Sequence, residues 1–464
     1  MASDLVKTTK IEERLEDTKL RYKTYIRELQ ELKEAQDTLG LPLYLSINFC
    51  YRGRLYYDVK NMLLDPQTKI GKYLWEAWTP RDMLDSDVDQ IAFAIMGELA
   101  RINPNNAYAE FIKDPEGNIA KYREAVKGDY LQEVYAERVI QAYRNALEDV
   151  PNRSFLFKDY TNGGGIHFAS GLTKEHKAMV VCNLSDTDTV YDPHGLLRDA
   201  FEAHTGVKDI TRDDIKKAVS QGVTAGVSPT SAVYKIKEYF VEAHGHDIDI
   251  TEQDYIDIIT DVYGKTGLYF HEYNKMGNNL YDNQNTVLKF TTRNGFKSAS
   301  IAYLAGQEVK LYYISTNTNR NSKGDLPTTT IHRNMPMHYV RKGKQMTPNT
   351  IGEHAKAKNK GWLANITHGA GDAVAIQVIA EAMIEHGVAG LLIHDNIATF
   401  GAAHQGLIMP VAKQEIEKSM EDTFFIDVFR QASEGRRLPE FSPANLLVND
   451  VPDDFVLGDN FMQV

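Results

Sequence analysis

Two acids stand at the tips of apolar runs, with cations between them in the chain. In Val388 to Phe400, VAGLLIHDNIATF, the apolar run Leu391, Leu392 and Ile393 is interrupted by His394, Asp395 and Asn396 and resumes through Phe400. This predicts a buried strand pair with a polar tip, where a carboxylate carries a desolvation cost unless it is paired or binds a cation. Asp395-Asn396 is also ordinary turn chemistry, so taken alone it fits a plain hairpin. In Ser154 to Phe168, SFLFKDYTNGGGIHF, the residues Phe155, Leu156 and Phe157 predict a buried strand ending at Asp159. Gly163, Gly164 and Gly165 then turn the chain, without the Lys-Ser/Thr of a phosphate loop. Asp209 to Gly226, DITRDDIKKAVSQGVTAG, predicts a helix with Arg212 and Lys216 on one face and no facing acid. Such a face suits a polyphosphate or nucleic acid, or is simply solvated. Arg52 and Arg54 flank Gly53 within Leu43 to Tyr57, LYLSINFCYRGRLYY, whose aromatic and β-branched content predicts strands around a tight turn. Guanidinium forks there match phosphate oxygens, or decorate a surface hairpin.

The elements that must position these residues are legible in outline. Asp4 to Leu39 has no Gly or Pro, and Tyr22, Ile26, Leu29 and Leu32 keep helical spacing before Gly40 and Pro42. Helices are predicted over 88–101 and 119–148, the latter stopped by Pro151, then over 372–387, feeding the Val388 strand, and over 411–433. Residues 320–360 hold nine Lys or Arg against Asp325 and Glu353, a balance of +7 within a chain of net charge −12. Rich in Asn, Thr and Pro, that stretch predicts loops suited to a nucleic-acid backbone. The 464 residues, 42% hydrophobic and 25% charged, predict two or three lobes of a soluble protein. Two cysteines, Cys50 and Cys182, make no disulfide framework, and no signal peptide or long apolar run is present, so a reducing cytoplasm and no membrane partner are expected.

In order along the chain, these pieces resemble the single-subunit RNA polymerases of bacteriophages and mitochondria, from about Leu41 to the C-terminus. Arg52-Gly53-Arg54 with Leu55-Tyr56 resembles the Arg-Gly-Arg signature beside template and hybrid. Asp159 with Gly164, His167 and Phe168 is similar to the first catalytic-aspartate motif. Ile210-Thr211-Arg212 with Lys216 resembles the fingers helix that holds the incoming triphosphate. Asn365 and His368 are similar to the loop histidine near the nascent base pair and ribose, and His394-Asp395 to the second catalytic-aspartate motif. Arg293 and Lys297 repeat the Arg-x-x-x-Lys spacing, but TRNGFK, Thr292 to Lys297, sits better on a Gly-Phe block that follows the fingers helix in the family.

The resemblance implies an α+β multidomain, right-hand polymerase. Its segments would be an N-terminal helix over 1–40 as reduced thumb or docking arm, palm over 41–182, fingers and inserted loops over 183–361, and second palm part and tail over 362–464. It implies a DNA-directed RNA polymerase catalytic subunit, with two Mg²⁺ ions on Asp159 and Asp395 and Arg212 and Lys216 on the NTP. Lys216 would also protonate the leaving pyrophosphate. Arg52, Arg54 and Tyr56 would contact template and hybrid, Thr224 and His368 the nucleotide, with His394, Gly164 and His167 supporting. Expected partners are template DNA, RNA product, NTPs, a second polypeptide carrying the N-terminal promoter-binding half, and a single-stranded-DNA-binding or activator protein. If viral, the protein would work in the cytoplasm of an infected bacterium. Three departures stand out: Cys50 replaces an acid before Arg-Gly-Arg, Thr224 replaces a ribose-selecting tyrosine, and His368 lies one residue farther than usual from Asp372. The alternatives are a DNA polymerase of the related fold, which usually carries an acid where Asn396 stands, a silent nucleic-acid-binding subunit, and a metal-dependent phosphohydrolase requiring further His ligands.

Overall fold

The computed structural model describes residues 2–463 except 41, 51, 69, 101–103, 161–162, 188, 209, 282–285, 306–308, 313–327, 332–333, 336–355, 359–360 and 435–441. The architecture is α+β, mostly helical with small antiparallel sheets. The chain opens on the helix Ala2–Leu39, which ends at Gly40 with φ +62°. Asn61 anchors this helix by donating to the Tyr25 carbonyl at 3.2 Å and to Glu28 at 2.8 Å. Strands β1 (Ile47–Phe49) and β2 (Leu55–Tyr57) form the hairpin that carries Arg52 to Arg54. Next in the chain are β3 (Leu156–Tyr160), then β4 (Val287–Thr291) and β5 (Lys297–Ile301), paired as a second hairpin. Short strands β6 (Tyr303–Ala305), β7 (Val309–Tyr312), β8 (Thr328–Ile331), β9 (Asn334–Met335) and β10 (Lys356–Lys358) follow. Of the nine cations in 320–360, only Lys356 and Lys358 lie among the described residues.

The sheet that organises the site is built from β11 (Gly390–Ile393), β12 (Asn396–Thr399) and β13 (Met462–Gln463) together with β3, in the order β11-β12-β3-β13. Strand alternation sends successive side chains to opposite faces. Leu391, Ile393 and Ala398 join a cluster with Phe93, Tyr135 and Phe157, while Leu392, Ile397 and Met462 join a larger one with Phe168, Phe270, Trp362 and Phe425. The sheet is therefore covered on both sides, which explains why its strands read as apolar runs. Cys182 and Leu184, on either side of the expected palm–fingers boundary, both belong to the larger cluster.

Several expected elements take a different form. The helix expected over 119–148 is two helices, Pro115–Val126 and Tyr130–Leu147. Gly128 at φ +94° breaks it, and Asp129 caps the second by accepting from Leu131 and Gln132 amides. Gly163 to Gly165 do not turn the chain; they open the helix Gly163–Phe168, which continues as a π-turn over Ala169–Thr173. The helix expected at 372 begins ten residues earlier, running from Trp362–Ile366 through a π-turn, Thr367–Asp372, into Ala373–Glu385. Asn365 and His368 are thus helical rather than on a loop. The last long helix is split by Asp422 and Thr423 into Met409–Glu421 and Phe424–Ala432, with Asp422 accepting from the Phe424 amide at 3.0 Å. Among the described residues, no helix is long and apolar enough to cross a membrane.

Candidate active site

Backbone pairing brings the two acids together. Asp159 lies directly opposite Asn396 in the β3–β12 register, and the Tyr160 amide donates to the Asp395 carbonyl at 3.4 Å. Asp395 occupies the two-residue tip between Ile393 and Asn396, where His394 adopts φ +59°. A non-glycine residue in that conformation costs about 1–3 kcal/mol. Burial of Leu392, Ile393 and Ile397, each contributing about 1.5–3 kcal/mol, offsets it.

The electrostatics single this pair out. Asp159 keeps some exposure to solvent, while protein atoms crowd round its carboxyl. Burial and the neighbouring Asp395 push its carboxyl up to about 8, against weaker opposing effects of Lys72 and Lys216. Asp395 is also raised, by burial first and then by Asp372. His394 is lowered by burial and by Arg54, which keeps it neutral near pH 7. Its ring meets Tyr56 edge-on at 5.3 Å. Nearby, Tyr160 Oη, His394 Nδ1 and Asn396 Oδ1 are buried without a hydrogen-bond partner.

A third acid, Asp372, organises the groups around the pair. Arg54 Nη2 donates to Asp372 Oδ2 at 2.7 Å, and His368 Nδ1 lies 2.7 Å from the same oxygen. His167 Nε2 approaches Asp372 Oδ1 at 3.1 Å, outside hydrogen-bond geometry. Burial alone would raise Asp372, but His167 and His368 hold it well below the usual carboxylate range. The helical π-turn makes this possible, since it places His368 and Asp372 four apart on one side. Gly371 is required at its crest, because a Cβ there would come within 2.5 Å of the His167 ring. The Arg-Gly-Arg turn is docked on the same helix: Gln377 donates to the Gly53 carbonyl at 2.7 Å, and Asn294 donates to Gln377 at 2.6 Å. Gly53, at φ +78°, has the Phe296 ring against it, and Phe296 in turn contacts Phe49 at 6.2 Å between centroids.

The Arg212 helix differs from expectation in one respect. It begins at Arg212, capped by Thr211, and passes through a π-turn at Lys216–Ser220. Arg212 is met by an acid after all: its guanidinium donates twice to Asp192, at 2.6 and 3.0 Å. Asp192 lies twenty residues upstream, so helical spacing gave no sign of it. Lys216 is exposed and contributes favourably to ionised Asp159. Thr224 Oγ1 donates to the Ser220 carbonyl at 3.2 Å, a bond that a sugar contact from this hydroxyl would have to replace. A Cβ on Gly164 would lie 3.9 Å from the Thr224 side chain, so the Gly163 helix and the Arg212 helix meet there. Asn365 donates to Ser300 at 2.9 Å in the interior.

Arg293 and Lys297 lie at the turn of the β4–β5 hairpin, not on a helix face. Arg293 pairs with Glu415 at 3.1 Å and Asp422 at 3.3 Å, which ties that hairpin to the C-terminal helices. Two residues of the site carry no readable signal in sequence. Asp372 hides in an apolar helical stretch, and Lys72, in the turn Gly71–Leu74, reaches the site only through the fold.

Among the described residues, no group of three or more His, Cys, Asp or Glu side chains is arranged as a metal cage. The donor set is two carboxylates with raised proton affinity, beside buried polar atoms that have no hydrogen-bond partner among the described residues. Lys72, Lys216 and Arg54 only partly offset the burial of these acids, and two hard oxygen ligands fit a hydrated Mg²⁺. No protein-family model matches this chain, and no curated protein matches it significantly.

Proposed function

We propose that this chain is the catalytic part of a DNA-directed RNA polymerase, adding ribonucleotides from NTPs to an RNA 3′-hydroxyl on a DNA template. The observation that carries this reading is the convergence of Asp159, on β3, and Asp395, in the turn leading into the neighbouring β12, as desolvated acids that make no ion pair among the described residues. Perturbed acids in a cleft are a mark of a functional centre. Asp159 and Asp395 would hold two Mg²⁺ ions, which when bound stabilise charge on the attacking and leaving oxygens. Lys216 would bind the triphosphate and give a proton to the departing pyrophosphate. Arg212 would join it by exchanging Asp192 for phosphate. Arg54 and His368, held in place by Asp372, would face the hybrid and the nascent ribose, with Arg52 and Tyr56 along the same turn. His394, neutral and packed on Tyr56, would hold the hairpin tip.

Primer extension on a preformed RNA–DNA scaffold tests the proposal, with ribo- and deoxyribonucleotides compared. The expected result is Mg²⁺-dependent extension with ribonucleotides in preference to deoxyribonucleotides. Preference for deoxyribonucleotides would assign a DNA polymerase, and scaffold binding without extension would assign a silent binding subunit.

A further inference from the structure

Lys158 precedes Asp159 on β3 and projects to the other face of the sheet. It is 3% exposed, and among the described residues its amine makes no hydrogen bond or ion pair. It rests on the Phe93 ring, 4.3 Å from the centroid. Burying an ammonium without a carboxylate is costly, and the acid that acts on it, Asp459, is already held by Lys413 at 3.2 Å. Lys158 instead lines a cavity of about 320 Å³, together with Lys413, Asp459, Gln405, Met409 and Gln90. Gln90 is 7% exposed, and its side-chain carbonyl Oε1 is buried without a donor.

The cavity thus offers two lysine amines to an anion, with the Gln90 amide at its wall as an acceptor for a hydroxyl. A carboxylate supplies only the first, whereas a hydrogen phosphate or phosphomonoester supplies acceptor oxygens and, when singly protonated, a P–OH donor. Asp459 faces the same space, and Lys413 would be shared between it and the ligand. We propose that this cavity is a binding site for a small phosphate or phosphomonoester, held between Lys158, Lys413 and Gln90. It is separate from the carboxylate pair, because alternation along β3 puts Lys158 and Asp159 on opposite faces.

The test is thermal unfolding and calorimetric titration of the full chain in Mg²⁺-free buffer, with inorganic phosphate replacing chloride at constant ionic strength and acetate as a second series. Wild type should show a saturable phosphate-dependent rise in melting temperature. In Lys158→Met, phosphate affinity should fall at least tenfold, and in Lys413→Gln it should weaken. Lys216→Ala should leave this saturable phosphate binding in place, and acetate should show no saturable binding. Non-saturating stabilisation, equal in wild type and Lys158→Met, would be preferential exclusion from the surface and would overturn the site. So would loss of binding in Lys216→Ala with retention in Lys158→Met, which would move phosphate to the catalytic face. Acetate binding as tightly as phosphate would overturn the ligand class. Lys413, a partly exposed side chain, keeps the test decisive if Lys158→Met does not fold.

Discussion

Asp372 acts on both Asp159 and Asp395, yet the protein surrounds it and the pair in opposite ways. Asp372 is almost fully buried and is met by Arg54, His368 and His167, so it stays ionised far into acid. Asp159, on β3, and Asp395, in the turn before β12, are both raised chiefly by burial, with Asp395 adding to the effect on Asp159 and Asp372 to that on Asp395. A buried acid whose partners are built in is part of the scaffold. One whose partner is left out is poised for a positive charge brought from outside, which the proposed function assigns to Mg²⁺.

The largest expected effect breaks the contrast at the pair. Asp159→Asn or Asp395→Asn should lower extension by roughly 10³-fold or more, the worth of several kcal/mol at the transition state. Scaffold binding should persist, and metal-free stability should hold or rise as repulsion is relieved. A variant retaining a tenth of wild-type extension would sink the metal assignment.

Asp372→Asn should behave differently, losing about 3–5 kcal/mol in denaturant titration, because Arg54 is left buried without its counter-charge. Stability equal to wild type would mean that Asp372 is not the scaffold acid.

A pH series sharpens the comparison. The folded chain keeps a proton on Asp159 up to about pH 8, whereas the unfolded chain releases it near 3.8. Asp159 therefore favours folding at low pH and loses that contribution as pH rises between those values. Asp372 has the opposite sign: its contribution is present above its unfolded value and is lost only as pH falls well below it. Without divalent ions, the melting temperature of wild type relative to Asp159→Asn should decline from pH 5 to 8. Parallel curves for the two proteins would show that Asp159 has an ordinary carboxyl.

Smaller effects probe the cations. Lys216→Ala should raise nucleotide KM and lower kcat, by roughly 10–100-fold in kcat/KM for one charge-assisted hydrogen bond. Lys297→Ala, on a hairpin strand, should stay near wild type; steady-state kinetics giving the reverse order would reassign the triphosphate site. Asp192→Asn should change stability by under about 1 kcal/mol, since its pair with Arg212 is partly exposed. It should also lower nucleotide KM by freeing Arg212, and a raised KM would show that Asp192 positions Arg212 for binding.

Local patterning alone determined the two acid-tipped strands, the long first helix, the Arg-Gly-Arg turn and the Arg212 helix. Each is set by spacing within a few residues, the range over which strand alternation and helical periodicity act. The break at Gly128 and the helical start at Gly163 are not legible locally, because glycine signals both a turn and close packing, and only the neighbours decide between them. Tertiary structure alone decided that Asn396 pairs with Asp159, that Asp192 holds Arg212, and that Asp372 gathers Arg54 and two histidines. It also decided that Arg293 and Lys297 share a hairpin rather than a helix face. These are contacts between residues remote in the chain, and a charge's role depends on the burial and partners that such contacts supply. Sequence placed Asp159 and Asp395 at the tips of apolar runs; only the fold brought the two together and set Asp372 beside them.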